Sequence, residues 1–150
     1  MTTQTIKVGI CGLGTVGQGV IALLSEGGDV LSNRVGGTIE LVHVATRTPK
    51  PEVDTLGARD SRDVFDVARD PNVNVLIELI GGTTVAKELV VEALNHGKHV
   101  VTANKALLAD HGDELFTLAE SKGVALRFEA AVAGGIPVIE AVKTLSLIHI

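Results

Sequence analysis

The sequence has no tryptophan and no tyrosine, and only 2% of it is aromatic, although 45% is hydrophobic. A core without aromatic bulk must be assembled from Val, Leu, Ile and Ala, the composition of buried parallel strands flanked by helices. Cysteine is nearly absent: Cys11 stands alone, so no internal disulfide forms, and the N-terminus lacks the charged and apolar segments of a secretory signal. No apolar run approaches the roughly 18 residues of a membrane helix, and neither an internal repeat nor a low-complexity tract is present. Basic character is missing too. A formal charge of −5 with no Lys/Arg run argues against a nucleic-acid surface, although a pocket for a small anion can still be locally positive. The expectation is a soluble, cytoplasmic protein, and 150 residues suffice for one domain that buries about 70% of its unfolded surface.

What is present alternates between strand-like and helix-like segments. Ile6 to Cys11 reads as a short buried strand, and Thr15 to Leu31 carries Val16, Val20, Ile21, Leu23 and Leu24 at helical spacing. Ile39 to Ala45 is the next strand, and the Pro-punctuated stretch 46–60 reads as loop. A short helix is expected from Ser61, as N-cap, to Arg69, before Pro71. Val73 to Ile80 is the most apolar strand, and Val85 to Asn95 a helix stopped at His96-Gly97. His99 to Thr102 is a strand, 104–109 and 114–121 are two short helices, and Val124 to Ala130 a final strand. This alternation predicts right-handed crossovers and an α/β fold with a doubly wound, Rossmann-type parallel sheet.

Gly12, Gly14 and Gly17 fit G-x-G-x-x-G, weak as a bare pattern in a chain with 17 glycines, but placed directly after the first strand and opening a helix. In that context Gly12 serves the tight turn, Gly14 the approach of a pyrophosphate to the backbone and Gly17 close helix–strand packing, while the helix N-terminus faces the phosphates. The position after the second strand meets the adenosine ribose, where an acid selects a free 2′-hydroxyl and a base a 2′-phosphate. Here that strand is followed by Arg47 and Lys50, with no acid near and Glu40 at the wrong end, so NADP is favoured over NAD.

The third strand ends in Gly81-Gly82-Thr83-Thr84, where a dinucleotide's second half belongs, with Thr83 or Thr84 capping the next helix. Glu78 inside that strand is either buried and paired or a sign that the strand is less enclosed than it looks. Lys105, just past another strand's carboxyl end, suits orientation of a polar substrate group or proton relay, and equally suits a solvated first turn of a helix. Glu129 and the small-residue bend after it offer oxygens to a hard cation, although a lone carboxylate is a poor metal signature. The 5 histidines and Cys11 show no transition-metal spacing.

Taken together, KVGICGLGTVGQGV, VATR, VTANKALLA and FEAAVAGGIPVI resemble the N-terminal cofactor domain of homoserine dehydrogenase, from about Ile6 to about Lys143. The glycine loop is shared by many dehydrogenases, whereas VTANKALLA and FEAAVAGGIP in this order are specific to that family. The resemblance implies interconversion of L-homoserine and L-aspartate 4-semialdehyde with a nicotinamide cofactor, in the branch of aspartate metabolism leading to threonine and methionine. It implies that Lys105 is an active-site lysine. It also implies that Gly12, Leu13, Gly14, Thr15, Val16, Gly17, Arg47, Gly81, Gly82, Thr83, Ala103, Asn104 and Lys105 line the cofactor. A sodium ion is implied at the Glu129 side chain and the carbonyls of Val132, Gly134 and Ile136. Arg47 fits members that use NADP, and some members accept both cofactors.

The chain departs from the family in length, because a full member continues into a dimerisation and substrate-binding domain that supplies a second catalytic lysine and acids for the substrate's amino group. Residues 1–133 are therefore expected to be the NAD(P)-binding domain and 134–144 the start of the connection, with the full enzyme a homodimer and this segment alone inactive. The last six residues, LSLIHI, do not continue the family's pattern and read as a non-native tail resembling translated adapter sequence. Two other readings remain beside the leading one. One is a stand-alone dinucleotide-binding module that senses redox state; the other is a different Rossmann dehydrogenase, such as an aspartate-dehydrogenase-like protein.

Overall fold

A computed structural model describes residues 4–128. Six strands form one sheet: β1 (Gln4–Cys11), β2 (Gly37–Ala45), β3 (Arg59–Ser61), β4 (Val75–Glu78), β5 (His99–Thr102) and β6 (Leu126–Phe128). Five helices connect them: α1 (Thr15–Glu26), α2 (Gly28–Val35), α3 (Val64–Arg69), α4 (Thr84–Asn95) and α5 (Lys105–Lys122). The strand order is β3-β2-β1-β4-β5-β6, with every pairing parallel. This is the expected doubly wound α/β sheet of Rossmann type.

Side-chain alternation along the strands builds two apolar layers. Ile6, Val8 and Ile10 of β1 join Val75 and Ile77 of β4 and Val101 of β5 against Val20, Ile21 and Val35 of the first two helices. Cys11, Ala45, Leu76, Val100 and Leu126 face the other way, onto Val67, Leu89, Leu94, Leu107 and Leu115 of α3 to α5. The pairing of β1 with β2 slips once: Val8 faces Leu41 but Gly9 faces His43, so Val42 is an extra residue. Leu41 and Val44, three apart, consequently pack in the same layer. His43 is left on the α3 side, opposite a glycine whose Cβ would meet a Val67 methyl at 2.4 Å.

Several elements depart from the expectation. The helix foreseen over 15–31 is two helices, because Gly27 donates its N–H to the Leu23 carbonyl and ends the first. The stretch read as loop closes on a strand: Arg59, Asp60 and Ser61 pair with His43, Val44 and Ala45. Ser61 is therefore the end of β3, and Asp63 caps α3 by accepting the Phe65 N–H at 2.9 Å. The two short helices near the end are one, α5, since Leu107, Gly112, Leu115 and Ala119 bury a continuous face through the polar stretch between them. No helix among the described residues is long and apolar enough to cross a membrane.

Candidate functional site

The sheet's winding reverses between β1 and β4, whose carboxyl ends lie side by side, the Leu79 N–H donating to the Cys11 carbonyl at 2.9 Å. The connections leaving the two strands part to opposite faces there, which opens a crevice at the carboxyl edge. Segments 12–17, 46–47, 79–83 and 103–105 all end at this edge, so the topology brings together the cofactor residues expected from the sequence.

Gly12 sits at φ +106, and a Cβ on it would lie 2.7 Å from the Leu79 carbonyl oxygen, so only glycine makes this turn beside β4. At Gly17 a Cβ would lie 2.1 Å from the Gly12 carbonyl oxygen; this glycine packs α1 onto the turn, with the strand residue Ile10 farther off at 3.9 Å. Gly14 is different. It is exposed and nothing in the chain comes within 4 Å of a Cβ placed there, so its bareness serves approach from outside. It is also the N-cap of α1 without a side-chain capping bond, and no acid lies in the helix's first turn. The free N–H groups and the positive end of the helix dipole are left for an anion. Thr15 and Val16 are exposed beside them, whereas the Leu13 side chain is buried in the core, leaving that residue only its backbone to offer. The Gln18 amide donates to the Leu13 carbonyl at 2.9 Å and pins the loop.

Beyond β2, Arg47 is exposed, as the cofactor reading requires. The pairing of β3 with β2 brings two groups to this edge that the sequence reading missed, Asp60 on the strand and Arg62 just past it. Arg62 donates to the Thr46 carbonyl at 3.0 Å and pairs with Asp60, and the Thr46 N–H bonds the Ser61 carbonyl at 3.1 Å. A second guanidinium thus reaches the residue before Arg47, with Asp60 already paired to it and Asp63 taken up as the cap of α3. Below the edge His43 bridges two elements, Nδ1 to Asp70 at 2.7 Å and Nε2 to the Ser61 hydroxyl at 2.6 Å. Burial pushes the Asp70 carboxyl up, but the Asn72 N–H and His43 outweigh it and hold Asp70 below the usual range.

On the other side, Gly81 and Gly82 are exposed, and Thr83 takes the N-cap position of α4 without a side-chain capping bond. Glu78 is buried and paired, the first of the two alternatives left by the sequence: it accepts the Thr102 hydroxyl at 2.5 Å and the Ile80 N–H at 2.9 Å. Burial, reinforced by the Glu78 charge, pushes the neighbouring Cys11 thiol far above its ordinary range, so Cys11 is core rather than nucleophile. Asn104 caps α5 by accepting the Leu107 N–H at 3.0 Å, and Lys105 is the exposed first residue of that helix. A cation in a first turn works against the helix dipole, so helix stability does not explain a lysine there. Among the described residues no cluster of His, Cys, Asp or Glu could hold a metal ion. The expected sodium ligands Glu129, Val132, Gly134 and Ile136 lie outside the described residues.

The family model for the homoserine dehydrogenase NAD-binding domain matches residues 12–129. The chain belongs to this family. Homoserine dehydrogenase of Pseudomonas aeruginosa is 54% identical over 140 residues, which are 93% of this chain and 32% of that protein. The homoserine dehydrogenase of Bacillus subtilis is 44% identical over 142 residues, 93% of this chain and 33% of that protein. The crystal structure of a homoserine dehydrogenase from Thiobacillus denitrificans superposes with a TM-score of 0.82 at 45% identity, covering 93% of this chain and 32% of that one. The chain thus spans about a third of the length of the curated relatives it matches. The cofactor class of a homoserine dehydrogenase NAD-binding domain is a nicotinamide dinucleotide, and the open backbone at Gly14 beside an uncapped helix is a cradle that fits one.

Proposed function

We infer that this chain is the cofactor-binding part of an NADP-preferring homoserine dehydrogenase, an enzyme that interconverts L-homoserine and L-aspartate 4-semialdehyde in the cytoplasm. The observation that carries this reading is the crevice itself: an open Gly14 and an uncapped α1 at a sheet switch point, in a chain of this family. When bound, the nicotinamide supplies or accepts the hydride. The α1 N-terminus and the Gly12 to Gly17 backbone hold the pyrophosphate. Arg47, with Arg62 beside it, meets the 2′-phosphate by charge-assisted hydrogen bonds. Gly81, Gly82, Thr83, Ala103 and Asn104 flank the nicotinamide half, and Lys105 orients the substrate's oxygen and handles the proton that accompanies hydride transfer.

Residues 1–133 form the dinucleotide domain in this reading, 134–144 begin the connection to a substrate-binding and dimerisation domain, and 145–150 are a non-native tail. Glu129, Val132, Gly134 and Ile136 are proposed to bind a sodium ion. The test is turnover of L-homoserine by the full-length enzyme containing this segment, with NADP and NAD compared. Oxidation of homoserine with a lower KM for NADP supports the reading. Tight dinucleotide binding without turnover of homoserine in the full-length protein sinks it.

A further inference from the structure

Glu78 ends β4 fully buried, in register with Cys11 on one side and Thr102 on the other. A buried carboxylate is costly unless its lone pairs are met, and here both oxygens accept: Oε1 from the Ile80 N–H at 2.9 Å, Oε2 from the Thr102 hydroxyl at 2.5 Å. The chain of bonds then runs outward. The Thr102 oxygen accepts the Asn104 N–H at 3.0 Å, and the Asn104 amide donates to the Gly82 carbonyl at 2.5 Å while its oxygen caps α5 at Leu107. One carboxylate therefore anchors the two connections that leave β4 and β5, and the second of them presents Lys105 on the residue after Asn104. The polarity of the chain is set at its buried end. The Thr102 hydroxyl has a single proton, and while its oxygen accepts from Asn104 that proton finds its acceptor in Oε2 of Glu78. An amide at position 78 would bring a donor to one of the two places where the chain needs an acceptor. An apolar residue would fill the same core space at less cost, so the carboxylate is explained by what it holds at the edge rather than by what it contributes to the core.

Resting on the reading of Lys105 given above, we propose that Glu78 is a positioning residue for the reaction, fixing the Gly82 and Lys105 connections in one mutual placement through Thr102 and Asn104. The test is a double-mutant cycle on kcat in the full-length enzyme, with Glu78→Gln, Thr102→Val and Thr102→Ser each made in the parent and in a Lys105→Ala background. Glu78→Gln and Thr102→Val are each expected to lower kcat about tenfold, with a smaller change in the KM for the dinucleotide, as befits a misplaced group. Thr102→Ser, which retains the hydroxyl, should recover kcat to within about threefold, and in the Lys105→Ala background neither Glu78→Gln nor Thr102→Val should lower kcat by more than about twofold further. Parent-like kcat in Glu78→Gln and Thr102→Val overturns the inference. So does a full, multiplicative loss on top of Lys105→Ala, the behaviour of general structural damage. If Lys105→Ala alone leaves kcat unchanged, the assignment of Lys105 fails and the inference falls with it; if Lys105→Ala lowers kcat and the other variants do not, only the inference falls.

Discussion

The two halves of the carboxyl edge are built differently. On the β2–β3 side the polar tie lies beneath the edge, where His43 joins Ser61 to Asp70, while the groups proposed to meet the cofactor, Arg47 and Arg62, stand out on exposed chain. On the β4–β5 side the tie lies at the edge itself, and Glu78, Thr102 and Asn104 bond directly to the backbone of the connections they hold. The difference separates choice from chemistry. An exposed arginine can change which dinucleotide is accepted without disturbing what supports it, whereas a change in the Glu78 network moves the loops where the reaction is proposed to occur.

The sharpest way to break this contrast is Lys105→Ala, which should lower turnover of the full-length enzyme by about 10²-fold or more while dinucleotide affinity by fluorescence titration changes little. An equal loss of affinity would make Lys105 a binding group like those of the other half. Next in size, Arg47→Ala should weaken NADPH by about 10-fold to 100-fold, the worth of a charge-assisted hydrogen bond, and leave NADH unaffected. Equal weakening of both cofactors would remove the 2′-phosphate from its proposed place.

Gly17→Ala tests the seam between the halves. Its Cβ would lie 2.1 Å from the Gly12 carbonyl oxygen, a backbone atom that cannot step aside alone, so urea unfolding should report a loss of about 1–3 kcal/mol. An unchanged midpoint would mean that the turn relaxes freely. The smallest effect is expected at Asp70. Its folded pKa lies below the ordinary value of 3.8, so the stability it confers is present above that value and is lost as pH falls through the folded one. Asp70→Asn should lower stability at neutral pH and flatten its fall in acid, and a parallel acid curve would show that His43 gains nothing from the charge.

The apolar strands were legible because each is a short run bounded by polar or glycine-rich chain, and β5 was read to the residue. β3 was not, because Arg59, Asp60 and Ser61 form an edge strand without apolar periodicity, recognisable only by its partner. Missing it hid Arg62, which is 15 residues beyond Arg47 in sequence and reaches the same edge through the pairing of β3 with β2. The glycine loop was readable because its position after a strand carries the meaning. The pairing of Glu78 with Thr102 was not, since they are 24 residues apart and meet only through the register of β4 and β5.

The extra residue in β2 has a consequence for how this edge tolerates insertion and deletion. Val42 works as a frameshift in the pleat: upstream of it the strand keeps one phase, downstream the opposite one. Removing that single residue would place His43 directly after Leu41 and still opposite Gly9, restoring regular alternation with His43 and Ala45 on the α3 side and Val44 in the other layer, as they are now. The imidazole would keep Ser61 and Asp70 as partners, whereas loss of a residue between His43 and Ala45 would bring Arg47 to the edge half a period out of step. In β2 the count of residues matters as much as their kind: the bulge absorbs a one-codon loss at Val42, while the same loss after His43 would reset the end of the crevice proposed to choose the cofactor.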